Sequence, residues 1–203
     1  MKIVCIGRNY VDHARELKNP VPSKPVFFMK PDTALIQKHN PFFYPGFSAD
    51  IQYETELVLK ICKNGRHIEE RFAHKYYDQI SVGLDLTARD LQSECKKKGL
   101  PWEIAKAFDN SAPLGEFIEI SEIEDINHIN FSLKINGEEV QRGNSCDMIF
   151  SFDYIISYVS QFVTLKLGDL IFTGTPAGVG PIKINDHFEA YIENQKLLDL
   201  KVK

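Results

Sequence analysis

The stretch Gln52-Tyr53-Glu54-Thr55-Glu56-Leu57-Val58-Leu59 reads as a β-strand and carries two glutamates two residues apart, a spacing that sends both side chains out of the same face. A chain that folds this segment must either bathe that face in water or place something positive between the carboxylates. At roughly 5 Å and an effective dielectric of about 20, two such charges repel by about 3 kcal/mol, a cost that a divalent cation between them reverses. A third carboxylate, Asp85, closes the apolar run Ile80-Ser81-Val82-Gly83-Leu84, where a second strand is expected to end and a helix to begin. Three oxygen ligands with no Cys or His beside them suit Mg²⁺ or Mn²⁺ better than zinc. The same spacing also describes the wet face of a half-buried strand bearing Gln52, Glu54, Glu56 and Lys60. Both readings stand at this point.

The rest of the chain supplies many short strands and few helices. Residues 2–6 and Pro25 to Met29 are strand-like, and Tyr10 to Leu17 makes one or two helical turns before Asn19-Pro20-Val21-Pro22 breaks them. A Pro/Gly-rich loop from Asn40 to Ser48 leads into the Glu54 strand. Thr87-Ala88-Arg89-Asp90 reads as a capping box opening a helix that Gly99-Leu100-Pro101 stops. A second helix is expected over Asp147 to Phe162, because Met148, Phe152, Ile155, Ile156 and Val159 recur at three- and four-residue steps. Ile129 to Ile135, Leu170 to Thr173, His187 to Ile192 and Leu197 to Val202 add further strands. This order argues against a doubly wound sheet. No repeat or linker interrupts it, so one domain over 1–203 is the economical expectation.

Composition narrows the function classes. A 43% hydrophobic content over 203 residues supports a substantial core without staples. The net charge of −4, with basic residues scattered apart from Lys96-Lys97-Lys98, offers no footprint for nucleic acid or an anionic membrane, and those three lysines suit a helix C-terminus. Cys5, Cys62, Cys95 and Cys146 form no Cys-x-x-Cys pair and read as reduced thiols of a cytoplasmic protein. No segment reaches the length of a membrane span or a signal sequence, so an unprocessed, soluble chain is expected.

Other residues carry chemical potential. His13 and Glu16, three apart in a predicted helix, share a face, where the carboxylate can orient the imidazole and raise its basicity for water activation; the pair also reads as solvated neighbours. Arg89 and Gln92 share a helical face suited to a substrate carboxylate, or to solvent. Lys106, amid apolar residues, suits a developing oxyanion, or snorkels from a strand, and Lys30 has the same two readings. Thr173-Gly174-Thr175-Pro176-Ala177-Gly178-Val179-Gly180 lacks the phosphate-loop ending. Its amides and the Thr175 hydroxyl can instead meet a small carboxylate, or the glycines serve only a tight turn.

Taken together, Gly7-Arg8-Asn9-Tyr10 with His13 and Glu16, Pro25 to Lys30-Pro31, Tyr53-Glu54-Thr55-Glu56-Leu57, Asp85-Leu86-Thr87-Ala88-Arg89-Asp90, Leu100-Pro101-Trp102 with Lys106, and Thr173-Gly174-Thr175-Pro176 resemble the fumarylacetoacetate hydrolase superfamily nearly end to end. The order and spacing are nearest to its small acylpyruvate hydrolase and oxaloacetate decarboxylase branch. The resemblance implies an α+β, β-rich fold, a rolled mixed β-sheet sandwich with a few peripheral helices, usually assembled as a homodimer. It implies that Glu54, Glu56 and Asp85 bind Mg²⁺ or Mn²⁺, that His13 and Glu16 form a water-activating dyad, and that Lys106 stabilises an oxyanion. Arg8, Lys30, Arg89, Gln92 and Thr175 would line the pocket of a small 2-oxo acid. The expected reaction is carbon–carbon hydrolysis of acylpyruvates, with oxaloacetate decarboxylation or tautomerisation, or hydroxymuconate-type diacid isomerisation, as alternatives at the same site. A metal and carboxylate binder without turnover is a further alternative. The Gly7-Arg8-Asn9-Tyr10 motif stands almost at Met1, where fumarylacetoacetate hydrolase itself carries an N-terminal domain. The segment Ala105-Lys106-Ala107-Phe108-Asp109 carries alanine where relatives often have serine.

Overall fold

The computed structural model describes residues 1–16, 20–36 and 40–203. Among these, the elements run β1 (Ile3–Gly7), α1 (Val11–Glu16), β2 (Val26–Lys30), β3 (Ile51–Tyr53), β4 (Thr55–Ile61), β5 (Tyr77–Leu84), β6 (Thr87–Ala88), α2 (Arg89–Lys98), α3 (Glu103–Lys106), β7 (Ile118–Glu119), β8 (Asn130–Ile135), β9 (Glu138–Asn144), α4 (Phe152–Phe162), β10 (Leu170–Phe172), β11 (Gly180–Pro181), β12 (His187–Ile192) and β13 (Gln195–Lys201). The fold is α+β and strand-rich. Three sheets have the orders β2-β1-β10-β4-β5-β7, β11-β3-β6 and β13-β12-β8-β9. β1 and β10 run parallel and their neighbours antiparallel, so the largest sheet is mixed.

Alternation along β4 explains why its sheet is buried on both faces. Leu57 and Leu59 enter the main core with Val82, Phe131, Leu133, Phe188 and the Ile155, Ile156 and Val159 stripe of α4, while Val58 joins a smaller cluster with Ile3, Cys5 and Phe172 on the other side. No helix among the described residues is long and apolar enough to cross a membrane. All four cysteines are free.

The topology delivers three loops to one place. β1 and β10, lying side by side and parallel, both exit toward the same edge, so the 7–10 turn and the 173–178 loop are neighbours. Asn9 joins them: its Nδ2 donates to the carbonyls of Thr173 (2.8 Å) and Phe150 (3.1 Å), and its Oδ1 accepts the Phe150 N–H (2.8 Å). The β4–β5 hairpin ladder pairs Thr55 with Leu84 and Glu56 with Gly83, bringing its open end to the same edge.

Several expectations shift in detail. The Glu54 strand is not continuous. Glu54 lies in a break where the chain leaves the three-stranded sheet (β3) and enters the six-stranded one (β4). Thr87 does not cap α2: it pairs in β6, its hydroxyl donates to the Asp85 carbonyl, and the N-cap position falls on Ala88 without a side-chain bond. Tertiary hydrogen bonding outcompetes the local capping motif there, and Asp90 instead accepts from Ser48 and from the Ala49 N–H. The second long helix begins at Phe152, capped by Ser151, rather than at Asp147, which lies in a short 3₁₀ turn. Lys106 ends a short helix, not a strand. The stop of α2 is as expected: Gly99 adopts φ 65° and its N–H returns to the Cys95 and Lys96 carbonyls. Of the first helix and its breaker, Leu17 and Asn19 lie outside the described residues.

Candidate active site and metal centre

Glu54 and Asp85 leave the open end of the β4–β5 ladder opposite one another, joined by the Asp85 N–H to the Glu54 carbonyl (2.8 Å). Glu56 stands two residues back from Glu54. The three carboxylates are buried and offer one oxygen each within 4.8 Å of one another. The wet-face alternative is thereby excluded for Glu54 and Glu56.

Cations surround two of the three acids. Lys106 Nζ reaches Glu54 Oε2 (2.9 Å), Asp85 Oδ2 (2.6 Å) and Thr87 Oγ1 (2.6 Å). Arg89 divides its guanidinium among Glu54 Oε1 (2.5 Å), Gln92 Oε1 (2.8 Å) and Gln52 Oε1 (2.9 Å). Burial alone would raise the Glu54 carboxyl, but Lys106, then Arg89 and His13, hold it well below the usual carboxylate range. Burial would likewise lower Lys106, and the charges of Asp85 and Glu54 outweigh it and raise it.

Glu56 is treated differently. Its Oε2 accepts the Gly174 N–H (2.8 Å), yet burial and then the charges of Asp85 and Glu54 push its carboxyl well above the ordinary value. Asp85 Oδ1 forms a buried ion pair with Lys30 Nζ (2.8 Å), an ammonium that also meets the Lys106 and Ser111 carbonyls and the Ser111 hydroxyl. A dehydrated set of three carboxylates, one of them repelled by its neighbours, has the chemistry of a hard divalent-cation site.

Beside this cluster sits the pair from α1. His13 is buried, with Nδ1 3.3 Å from Glu16 Oε2, and Glu16 Oε1 accepts the Gly178 N–H (3.1 Å). Burial lowers the imidazole below 6.5, against the opposing pull of Glu54 and Glu16. A neutral ring with Nδ1 facing a carboxylate carries its proton there and leaves the Nε2 lone pair free. Arg8 adopts φ 61°, uncommon for a residue with a side chain. Burial, then the charges of Arg89 and Arg8, lower Lys96. Thr175 is buried and its Oγ1 accepts from Gln141 Nε2 (2.8 Å).

Contacts join Glu54, Glu56, Asp85, Lys30, Lys106, Arg89 and Gln92 into one cluster, and the 173–178 loop ties Thr175 and the His13–Glu16 pair to it, with one correction: the Gly174 and Gly178 amides are occupied by Glu56 and Glu16 and do not face a ligand. Sequence reasoning gave no role to Asn9, Gln52 or Gln141. Asn9 stood inside a quoted motif, but Gln141 lies in Glu138–Asn144, whose polar composition gave no strand signal.

Comparison with known proteins agrees. The chain is 48% identical over 201 residues to "Oxaloacetate tautomerase FAHD1, mitochondrial" of Mus musculus, covering 99% of this chain and 91% of that one. It is 42% identical over 197 residues to "Oxaloacetate tautomerase YcgM" of Escherichia coli (strain K12), covering 97% and 90%. The solved structure of fumarylpyruvate hydrolase from Pseudomonas aeruginosa, in complex with Mn²⁺ and pyruvate, superposes with a TM-score of 0.93 at 38% identity, covering 100% of this chain and 89% of that one. Residues 2–203 match the fumarylacetoacetate (FAA) hydrolase C-terminal family. With its strand-rich fold and its buried carboxylate centre, the chain is an enzyme of the fumarylacetoacetate hydrolase family.

Proposed function

We propose that this enzyme interconverts the enol and keto forms of oxaloacetate, with Glu54, Glu56 and Asp85 holding Mg²⁺ or Mn²⁺. The observation that carries this is a buried, neutral His13, oriented by Glu16, beside three dehydrated carboxylates. Two relatives named as oxaloacetate tautomerases, 48% and 42% identical over nearly the whole chain, support it. Held by Glu54, Glu56 and Asp85, a divalent cation would supply Lewis acidity that favours negative charge on the substrate's 2-oxo oxygen.

The chain's own residues do the rest. His13 Nε2 takes a proton from C3; the C–H electron pair becomes the C2–C3 double bond and the carbonyl pair moves onto O2. Glu16 stabilises the imidazolium that forms. Lys106, whose Nζ is held among Glu54 Oε2, Asp85 Oδ2 and Thr87 Oγ1, supplies a positive charge for the enolate oxygen. Delivery of the proton to O2 completes the enol, and the reverse sequence returns the ketone. Arg8, Arg89, Gln92 and Thr175 form the surrounding pocket, Arg8 and Arg89 supplying positive charge for carboxylates, whereas Lys30, expected there too, is buried and committed to Asp85, the Lys106 carbonyl and Ser111.

Hydrolysis of acylpyruvates is the second reading, favoured by the neighbouring fumarylpyruvate hydrolase that holds Mn²⁺ and pyruvate. There His13 and Glu16 would deprotonate a water that attacks the 4-carbonyl. The free cysteines fit a reducing compartment such as the cytoplasm, and a homodimer is the assembly we expect.

Magnesium-dependent decay of the oxaloacetate enol absorbance, followed beside pyruvate release from acetylpyruvate, tests both. Faster equilibration of the enol than of buffer controls, lost on chelation, is expected. Full activity in metal-stripped protein would overturn the metal assignment, and acetylpyruvate cleavage without tautomerisation would select the second reading.

A further inference from the structure

We propose that Gln141 is a positioning residue that fixes the Thr175 hydroxyl as a hydrogen-bond donor to a substrate carboxylate or oxo group. This rests on the placement of Thr175 in the substrate pocket. Gln141 projects from β9, 3% exposed, and makes three bonds: its Oε1 accepts the Thr55 N–H (3.0 Å), and its Nε2 donates to Thr175 Oγ1 (2.8 Å) and to the Pro176 carbonyl (2.8 Å).

Two of those partners admit one orientation of the carboxamide. A backbone N–H only donates and a carbonyl only accepts, so oxygen must face Thr55 and nitrogen must face Pro176. The second N–H on that nitrogen then falls on Thr175 Oγ1, which is made an acceptor at that contact. A threonine hydroxyl carries a single proton, and among the described residues that proton meets no acceptor. The proton is directed away from Gln141 and stays available to a ligand oxygen.

The connections of this side chain give the arrangement its consequence. Thr55 stands between Glu54 and Glu56, while the loop that carries Thr175 also holds Glu56 through the Gly174 N–H and Glu16 through the Gly178 N–H. Gln141 therefore ties the carboxylate hairpin to the loop and sets the polarity of the hydroxyl between them. Those two loop amides are committed to the protein's own acids, leaving the Thr175 hydroxyl as a donor for substrate.

The test is calorimetric titration of oxalate, a small dicarboxylate, into Mg²⁺-loaded native protein and into Gln141→Glu, Thr175→Val and the double variant. Glutamate preserves the acceptor for Thr55 but has no N–H for Thr175, so the hydroxyl turns its proton toward the new carboxylate. Each single substitution is expected to weaken oxalate about tenfold, as for one lost charge-assisted hydrogen bond, and the double variant no more than either. Weakening of the double variant by the product of the two effects, or native affinity in Gln141→Glu, would overturn the proposal. Gln141→Met, uncharged and of similar volume, is judged by the same cycle and serves if the glutamate variant does not fold. Native affinity in Thr175→Val would remove the pocket role of Thr175, and the proposal with it; failure of oxaloacetate turnover in a protein whose oxalate cycle behaves as expected would fault the proposed reaction alone.

Discussion

Replacing Glu56 by glutamine should stabilise the metal-free protein while removing most of its response to magnesium. The acceptor oxygens of Glu54, Glu56 and Asp85 lie within 4.8 Å of one another, and at that distance with an effective dielectric of about 20 each ionised pair repels by about 3.5 kcal/mol. Glu56 meets two such neighbours, whose charges are partly offset by Lys106 and Arg89 at Glu54 and by Lys106 and Lys30 at Asp85. About 3 kcal/mol of strain therefore falls on Glu56, borne either as repulsion or as a proton held above its ordinary range. Glutamine keeps an oxygen for the Gly174 N–H and presents an N–H to the neighbouring acids. At roughly 2–4 °C per kcal/mol for a chain of this size, Glu56→Gln should raise Tm in chelator by roughly 6–12 °C. The gain should grow as pH rises above 4.5, because the unfolded chain then loses a proton that the native Glu56 retains. Magnesium at about 100 times its Kd should stabilise the native protein by about 2.7 kcal/mol, and the variant, short of one charged ligand, by far less. Calorimetric melting with chelator and with MgCl₂ reads both effects. A lower Tm for Glu56→Gln in chelator, or an undiminished magnesium shift, would refute the argument.

Two further substitutions probe α1 and the 173–178 loop. With His13 lowered by burial, the acid limb of kcat/KM should lie below pH 6.5, activity being full above it and lost as pH falls; His13→Gln should abolish that limb and reduce kcat/KM by roughly 10²–10⁴-fold in a steady-state pH profile. The same shift makes stability fall as pH drops below 6.5, since the unfolded chain gains a proton that the native ring resists. Gly174→Ala should cost about 1–3 kcal/mol in denaturant unfolding and weaken the magnesium response, because Gly174 has φ 104° and an added Cβ would lie 2.6 Å from Cβ of the triply bonded Asn9.

The legible features were those that follow from local spacing. The strand through Glu56 to Leu59, the glycine stop at Gly99 and the apolar stripe of α4 all became the expected structure, because each depends on local spacing within one element. The site residues were legible through the resemblance of whole motifs rather than through any single pair; His13 with Glu16 reads equally well as a solvated neighbour pair until burial is known. Thr87 misled because its capping pattern is local, whereas its hydroxyl is claimed by Asp85 and Lys106, one across a turn and one nineteen residues on. Gln141 gave no signal at all. Its significance lies in three partners 34 to 86 residues away along the chain.

By itself, the amino-acid sequence determined the strand-rich class, the helix stop and the set of acids and bases from which a site could be built, since hydrophobic period and residue chemistry are properties of short segments. Only the tertiary structure decided that Glu54, Glu56 and Asp85 are dehydrated together, that Glu54 is neutralised by Lys106 and Arg89 while Glu56 is not, and that His13 is neutral. Those outcomes depend on burial and on charge separations of a few ångströms between segments far apart in the chain. Coulomb energies in a low-dielectric interior are fixed by that packing and not by residue order.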